Sequence, residues 1–350
     1  MKRKFSRKAL VALFAVSALA LSACSSGDDA SGDVKVSLIL KNQTNPFFVS
    51  MVKGAEAKAA ELGIDLTISS GKEEGDDAAQ IAAIENAISA KHAGIVITVM
   101  STNVNAAITK AREAGLLVIA LDTPTDPADI ADITFATDNR EAGRLIGQWG
   151  AKKLGGQKAV IALLNIFDDR VSPVDYLRDN GFLEGMGIPV NDPNKMADEA
   201  KKGKYSGGDY EIVGNVATGA NEDGGRTGME KLLAKNPNIN IVYTINEPTA
   251  AGACAALKAA KKSAIVVSVD GGLPGIENVK SGCIGATSQQ YPLLMADLGL
   301  QAIVDLVKTG KKPEVTPGKD FFDTGVKLIT DDPQDGVASE STDYGIENAW

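Results

Sequence analysis

From Val34 onward, short runs of β-branched and other apolar residues alternate with longer, alanine-rich segments. An uninterrupted apolar run is typical of a parallel strand buried on both faces, and strand–helix alternation predicts right-handed crossovers. The fold class is therefore predicted to be α/β, with doubly wound parallel sheets. The nine predicted strands are 34–40, 64–69, 95–99, 116–121, 159–166, 211–216, 239–244, 265–269 and 284–287.

Nine strands exceed what one compact sheet usually holds, and the strand–helix cycle runs twice along the chain. We therefore predict two lobes with a ligand cleft between them. The break between them is expected near 136–139, after a short strand at 133–136. Residues 190–209 are predicted to be a surface insertion. Residues 331–350, with six acids and no base, are predicted to be a disordered tail in which Trp350 has no core to join.

Charge and composition exclude several functions. The chain has 36 basic and 45 acidic residues, and its first 23 residues hold five of the basic ones, so the remainder carries a net charge of −14. Such a surface repels phosphate backbones, so no nucleic-acid partner is expected. With one histidine, His92, and three cysteines, the chain has little material for zinc or Ser-His-Asp chemistry. No catalytic residue, metal or cofactor is predicted.

The N-terminus carries an export pattern. A basic start is followed by an apolar run of 13 residues, 9–21, too short to span about 30 Å of hydrocarbon as a helix. The run ends in Leu21-Ser22-Ala23-Cys24, which resembles the bacterial lipoprotein box. That resemblance implies a signal peptide at 1–23, acylation of Cys24 and a flexible tether at 24–33. An ordinary signal peptide with an incidental cysteine is the alternative.

Polar residues that follow the apolar runs are candidates for binding, because ligands of open α/β sheets lie beyond the carboxyl ends of the strands. Each could alternatively be a helix cap or a turn former. At one corner Glu247 is expected to cap the helix, leaving the Asn246 amide free. The corners are Asn45-Pro46, Asp122-Thr123-Pro124, Asn246-Glu247-Pro248, Asp270-Gly271-Gly272-Leu273-Pro274 and Gln290-Tyr291-Pro292.

Two phenylalanines add an apolar surface to this set. An apolar stripe with spacings of 4, 3, 4 and 3 runs from Phe48 to Leu62 and assigns Phe48 to the core. Phe47 falls off the stripe and suits stacking on a ligand. Amides, carboxylates and rings are what a neutral polyol needs, whereas a phosphate would call for basic residues or a glycine loop.

Six motifs together resemble the type I periplasmic sugar-binding proteins of ribose-type ABC importers, over residues 34–330. The resemblance implies that most of the corner residues face one cleft, and it favours Phe48 as a cleft residue against its periodicity. The motifs are Thr44-Asn45-Pro46-Phe47-Phe48, Leu121-Asp122-Thr123, Thr137-Asp138-Asn139, Ile245-Asn246-Glu247-Pro248, Val269-Asp270-Gly271 and Ala286-Thr287-Ser288-Gln289-Gln290. The binding residues implied by the resemblance are Asn45, Phe47, Phe48, Asp122, Asn246, Asp270 and Gln290.

The resemblance also implies three crossings between the lobes, near Thr137, Gln290 and Gly318. The N-terminal lobe then consists of 34–137 plus 291–318, and the C-terminal lobe of 138–290 plus 319–330.

This chain departs from the ribose binders at two places. Those proteins typically have Arg after the Asp of the fourth strand, where this chain has Thr123. The position of a second family arginine aligns with Arg170, Tyr176 or Arg178, and we take Arg178 as the binding candidate. Asp169, near the carboxyl end of the preceding strand, is a further binding candidate. The segment 174–182 and the long insertion look more like the fructose-binding branch. A fructose- or ribose-like sugar is therefore expected.

The function implied is that of a monomeric, lipid-anchored extracytoplasmic protein that captures a monosaccharide by lobe closure and delivers it to an ABC permease. A sugar-sensing receptor with a signalling partner is the alternative. A glycosidase using Asp122 and Asp270 is a more distant one, because nothing in the sequence sets their separation. Cys254 and Cys283 are expected either to form a disulfide or to be buried as thiols.

Overall fold

The structure is a computed structural model that describes residues 34–350. The predicted signal peptide, Cys24 and the tether lie outside the described residues. Within residues 34–350, no helix combines the length and apolarity needed to cross a membrane.

The N-terminal lobe is built on a six-stranded parallel sheet. Its strands are β1 (Val34–Leu40), β2 (Ile64–Ser70), β3 (Gly94–Ile97), β4 (Leu117–Leu121), β5 (Ile133–Ala136) and β12 (Phe322–Asp323). Its helices are α1 (Pro46–Leu62), α2 (Asp77–Ser89), α3 (Asn105–Glu113) and α9 (Pro292–Thr309). The spatial order is β12-β5-β4-β3-β1-β2. Apolar side chains on the two faces form separate cores, under α1 and α9 on one face and under α2 and α3 on the other.

The C-terminal lobe is built on a seven-stranded sheet. Its strands are β6 (Ala159–Asn165), β7 (Lys202–Tyr205), β8 (Gly208–Ala217), β9 (Ile241–Thr244), β10 (Ile265–Asp270), β11 (Ala286–Gln289) and β13 (Lys327–Ile329). Its helices are α4 (Asn139–Lys153), α5 (Pro173–Met186), α6 (Glu222–Lys235), α7 (Glu247–Ala259), α8 (Leu273–Lys280) and α10 (Thr342–Glu347). The order is β13-β11-β10-β9-β6-β8-β7, with antiparallel strands only at the two edges. The predicted fold class, two parallel-sheet α/β lobes, is confirmed.

The expected lobe assignment of residues 319–330 is wrong. The segment 319–330 was assigned to the C-terminal lobe, but β12 pairs with β5 of the N-terminal sheet, so the third crossing lies between β12 and β13. A two-residue strand has no apolar run that would reveal it in the sequence. Within the predicted insertion 190–209, β7 forms an edge strand by pairing with β8.

Residues 331–350 are folded rather than disordered. The Asp331 carboxylate accepts hydrogen bonds from the backbone and hydroxyl of Thr342, at 2.9 Å each. The Gln289 amide donates to the carbonyl of Gly345 at 2.9 Å, which ties α10 to β11. The prediction of a disordered tail rested on the acidic composition of the segment. It is wrong because these specific hydrogen bonds hold the segment in place.

Cys254 on α7 and Cys283 before β11 form a disulfide. This resolves the alternative that the sequence left open, and it joins two elements of the C-terminal lobe that are 29 residues apart.

Helices α4 and α5 pack at unusually close range because glycines line their contact. A Cβ atom at Gly143 or Gly147 would collide with a backbone carbonyl of α5, and one at Gly181 or Gly185 with a carbonyl of α4. The small-residue spacing of four on both helices places these glycines on the facing sides. The close approach brings Arg178 on α5 within reach of the start of α4.

We expect Gly147→Ala to destabilise the protein by about 2–3 kcal/mol, because the new methyl group overpacks the α4–α5 contact. Alanine at an unconstrained helix position would instead be favoured by about 1 kcal/mol. Urea unfolding measures the difference, with Lys152→Ala on the exposed side of α4 as the control. An unchanged or raised midpoint for Gly147→Ala would contradict the packing described.

Candidate functional site

Two adjoining spaces lie between the lobes at the carboxyl ends of the strands. The inner one is a cavity of about 30 Å³, and the outer one is a groove of about 430 Å³. Asn45, Glu74, Ala220 and Asp270 line both, so the two spaces lie side by side with these residues between them. The inner cavity is far smaller than the roughly 300–1,000 Å³ of typical ligand pockets. The lobes are therefore closed on each other.

The inner cavity collects most of the residues nominated from the sequence. They come from both lobes and lie at or after the carboxyl ends of six different strands, which is the arrangement expected at the edges of two open sheets. Those that line the cavity are Asn45, Phe47, Phe48, Asp122, Arg178, Asn246, Asp270 and Gln290. Thr123 and Asp169 do not line it.

The Arg178 guanidinium is the central charge of the cavity and contacts carboxylates of both lobes. Its Nη2 lies 3.3 Å from Asp122 of the N-terminal lobe, and its Nη1 lies 3.9 Å from Asp270 of the C-terminal lobe. Nε donates to the side-chain oxygen of Asn139 at 2.7 Å, and Nη1 donates to the carbonyl of Ile245 at 3.1 Å. Because all of these groups are buried, the guanidinium is held in one orientation.

A second buried ion pair, Lys41 with Glu74, was missed by the sequence analysis. The Lys41 ammonium lies 3.3 Å from Glu74, and Asn42 donates to the same carboxylate at 2.9 Å. Burial raises the pKa of Glu74, while the Lys41 charge opposes that shift. Lys41 directly follows β1, so the rule that selects polar residues after strands could have found it.

Asp270 ends β10 and leads into a glycine loop that Glu247 fixes in place. Glu247 accepts hydrogen bonds from the backbone of Gly271 at 2.8 Å and of Gly272 at 3.1 Å. The Gln290 side-chain amide donates to Asp270 at 2.8 Å, and its side-chain oxygen Oε1 is buried without a protein partner. Burial raises the pKa of Glu247, and the nearby Asp270 charge raises it further. Burial likewise raises the pKa of Asp270, with Arg178 acting against it.

The two phenylalanines play equivalent structural parts. Phe47 and Phe48 are 2% and 4% exposed, and both line the cavity while packing into the core under α1. Their rings meet edge to face with centroids 5.3 Å apart. The expectation that Phe47 lies off the core is therefore wrong, because periodicity does not account for the first turn of a helix that abuts a second lobe.

Both asparagine corners cap helices and line the cavity at the same time. Asn45 accepts from the backbone of Phe47 at 3.0 Å, and Asn246 accepts from the backbone of Thr249 at 3.1 Å. The Asn246 amide donates to Ala220 at 3.0 Å. The expectation that Glu247 would cap α7 and leave the Asn246 amide free is wrong, because Glu247 is engaged by the glycine loop.

Thr123 and Asp169 have other positions than predicted. The Thr123 hydroxyl donates to Asp122 at 3.0 Å, so it supports a cavity residue from behind. The Asp169 side chain is 61% exposed and pairs with Arg170. Arg170 itself crosses to the N-terminal lobe at the rim, where it donates to the carbonyl of Gly75 at 2.6 Å and pairs with Asp77 at 3.1 Å.

The alternatives for the family arginine are thereby separated. Arg178 alone of the three enters the cavity, since Arg170 lies at the rim and the Tyr176 hydroxyl donates to Asp126 at 3.2 Å. Among residues 34–350, no group of three or more His, Cys, Asp or Glu could hold a metal ion.

Asp175, at the start of α5, makes stability depend on pH. Burial raises its pKa to about 7, although it accepts hydrogen bonds from the backbone of Ile166 and Phe167. The unfolded chain releases this proton near pH 4. The folded state therefore binds more protons between about pH 4 and 7, and stability falls as the pH rises across that window.

We expect Asp175→Asn to flatten this decline between pH 5 and 7, by at most about 1.4 kcal/mol per pH unit. Urea unfolding at pH 5, 6 and 7 gives the slope. Asp169→Asn is the matched control, because pairing with Arg170 lowers the pKa of Asp169 and keeps its titration below the window. Parallel slopes for wild type and Asp175→Asn would contradict the assignment.

Comparisons with known proteins agree with this architecture. The family model for the periplasmic binding protein domain matches residues 36–312. A ribose import binding protein of Haemophilus influenzae is 30% identical over 309 residues, which are 88% of this chain and 96% of the relative. A D-allose-binding periplasmic protein of Escherichia coli is 26% identical over 302 residues, 84% of this chain and 91% of the relative.

Solved structures show the same fold. An ABC transporter solute-binding protein from Agrobacterium vitis with bound D-fucose matches with a TM-score of 0.71 at 25% identity, covering 87% of this chain and 100% of that one. A galactofuranose-binding protein matches with a TM-score of 0.73 at 21% identity, covering 90% and 97%. Because the family match runs through both lobes, the chain belongs to the periplasmic binding protein family and is a binding protein, not an enzyme.

Proposed function

We propose that this protein captures a monosaccharide between its two lobes and delivers it to the permease of an ABC importer. The observation that carries the proposal is the convergence of eight predicted residues from both lobes on one cavity. The relatives that are a ribose import binding protein and a D-allose-binding protein support the same class of ligand.

The cavity chemistry suits a neutral polyol. Carboxylates such as Asp122 and Asp270 accept from neighbouring hydroxyls, and the Arg178 guanidinium donates to a ring or hydroxyl oxygen. The unpartnered side-chain oxygen Oε1 of Gln290 is a buried acceptor that a ligand hydroxyl would satisfy. The Phe47 and Phe48 rings offer apolar faces to the C–H side of a sugar. A fructose- or ribose-like sugar is favoured.

Ligand entry requires the lobes to separate, because a cavity of about 30 Å³ holds only a water molecule or two. A sugar that contacts both lobes binds the closed form better than the open form, and this difference in affinity drives closure. Closure would then present one defined surface to the permease, so the permease would distinguish the closed, sugar-bound form from the open form.

We expect a thermal-shift panel of D-ribose, D-allose, D-fructose, D-xylose, D-galactose and myo-inositol to contain a sugar that raises the unfolding midpoint, since ligands that bind only the folded state stabilise it. Arg178→Ala should weaken binding of that sugar roughly tenfold to a hundredfold, because it removes charge-assisted hydrogen bonds. Calorimetry gives the Kd. Asp169→Asn, outside the cavity, is the control and should bind normally. A panel without a responder would refute the monosaccharide proposal.

We further propose that Cys24 is acylated and anchors the protein at the outer face of the membrane. The support is the sequence Leu21-Ser22-Ala23-Cys24 at the end of an apolar run. When the full chain is expressed in a bacterial host, it should sediment with membranes and carry acyl chains by mass spectrometry. Cys24→Ser should abolish both, with Ser25→Ala as the control. A Cys24→Ser chain that stayed in the membrane fraction would contradict the anchor.

A further inference from the structure

The Trp350 indole lies at the junction of the inner cavity and the outer groove. Its ring meets Phe47 edge to face, with centroids 5.4 Å apart and an interplanar angle of 82°. Its N–H donates to the carbonyl of Gln290 at 3.0 Å. Phe47 and Gln290 both line the inner cavity, while Trp350 lines the groove. The indole therefore touches two cavity residues from outside.

The Trp350 ring occupies the space left by the missing side chain of Gly272, and we call this space the seat of the indole. The three atoms nearest to a Cβ placed at Gly272 all belong to the Trp350 ring, at 2.8, 2.8 and 3.2 Å. Gly272 has φ −72°, a conformation open to any residue, so backbone strain does not require glycine there. Space for the indole is what the missing side chain provides.

The indole joins the two lobes. The segment that carries it is attached to the C-terminal lobe, through the Gly345 carbonyl bonded by Gln289 and through a bridge between Ile329 and Glu340. The ring packs against the apolar core of the N-terminal lobe through Phe47. The position of the Phe47 ring therefore depends on a residue borne by the opposite lobe.

We propose that Trp350 is a positioning and specificity-determining residue of the ligand site, an inference that rests on the proposed sugar-binding function. It holds the Phe47 ring in the plane that faces the sugar, and from the groove side it supports Phe47 and Gln290, which line the cavity. An aromatic edge-to-face pair adds attraction beyond its buried area and fixes ring geometry. Without the indole, the Phe47 ring gains rotational freedom, and Phe47 and Gln290 lose the support that holds them between the cavity and the groove of about 430 Å³.

Two consequences follow for binding. Trp350→Ala should weaken binding of the responding sugar roughly threefold to tenfold, the amount that one aromatic pair contributes. It should also reduce discrimination against the methyl glycoside of the same sugar, because the added group would extend into the groove. A loss of stability alone would move both affinities together and leave their ratio unchanged.

A double-mutant cycle between Gly272 and Trp350 tests the seat directly. Gly272→Ala should weaken binding in the wild-type background, because its methyl group displaces the indole. It should add nothing in the Trp350→Ala background, where the space is empty. Equal effects of Gly272→Ala in both backgrounds would overturn the proposal. Ile346→Ala, an exposed position on α10, is the control for general disturbance of the segment.

Tryptophan fluorescence provides an independent readout. The chain has two tryptophans, and Trp149 is buried in the core of the C-terminal lobe at 1% exposure. In the Trp149→Phe variant, the sugar should change the emission of Trp350 and protect it from acrylamide. A sugar that raises the midpoint but leaves this emission and quenching unchanged would contradict the positioning role.

Failure of the proposed function would be recognised separately. The Gly272–Trp350 cycle is also measured as unfolding midpoints without sugar, where Gly272→Ala should destabilise only the chain that retains the indole. A panel without a responder would refute sugar binding and the positioning role with it, while the sugar-free cycle would still decide whether the seat exists.

Discussion

A buried guanidinium shared by two lobes is the constraint on which the closed form depends. Arg178 reaches Asp122 across the cleft and lies near Asp270 on its own side. Removing one partner from such a group leaves a charge without compensation in a poorly solvated place, which is costly. The glycine-lined contact of α4 and α5 is what brings the arginine to this point, next to Asn139. Local packing in one lobe thus determines the chemistry between the two.

The cleft contains more charge than a neutral ligand requires, and each charged side chain that lines the inner cavity has a neighbour of opposite charge. Lys41 pairs with Glu74 within the N-terminal lobe, and Arg178 serves carboxylates of both lobes. Because each charged group already has a partner, a polyol need only exchange hydrogen bonds with fixed dipoles and charges. Preorganised groups of this kind favour a guest with many hydroxyls over an ion, which would disturb the balance.

Much of the fold could be predicted from the sequence, because buried parallel strands are recorded as apolar runs. Strands β1 and β5 begin and end where the pattern placed them. Polar residues directly after strands identified most of the cavity, since the chain has to turn there. Apolar runs and the polar residues after them involve only neighbouring positions in the sequence. They predict the structure correctly where the residues of one lobe alone surround a side chain.

The features that the sequence did not reveal depend on partners distant along the chain. The burial of Lys41 follows from Glu74, and the β12 pairing follows from β5. Phe47 is buried in the core of its own lobe and is packed against the indole of Trp350, which the segment attached to the second lobe carries. The order of residues 331–350 depends on bonds to β11 and on the Asp331–Thr342 contact rather than on composition. None of these contacts produces a periodic pattern of apolar and polar residues in the sequence.

The contacts of Arg170 at the rim of the cleft are more exposed to solvent than those of Arg178 at its centre. Arg170 crosses to Gly75 and Asp77 where solvent reaches it, with its side chain 23% exposed, whereas Arg178 is 4% exposed. The Debye length falls from about 8 Å at physiological ionic strength to about 3 Å in 1 M salt, so concentrated salt screens a close exposed pair, whereas buried pairs are screened much less. Concentrated salt therefore weakens the Arg170 contacts at the rim while the buried Arg178 contacts persist. The salinity of the surroundings would then change how readily the lobes separate without changing the residues that recognise the ligand.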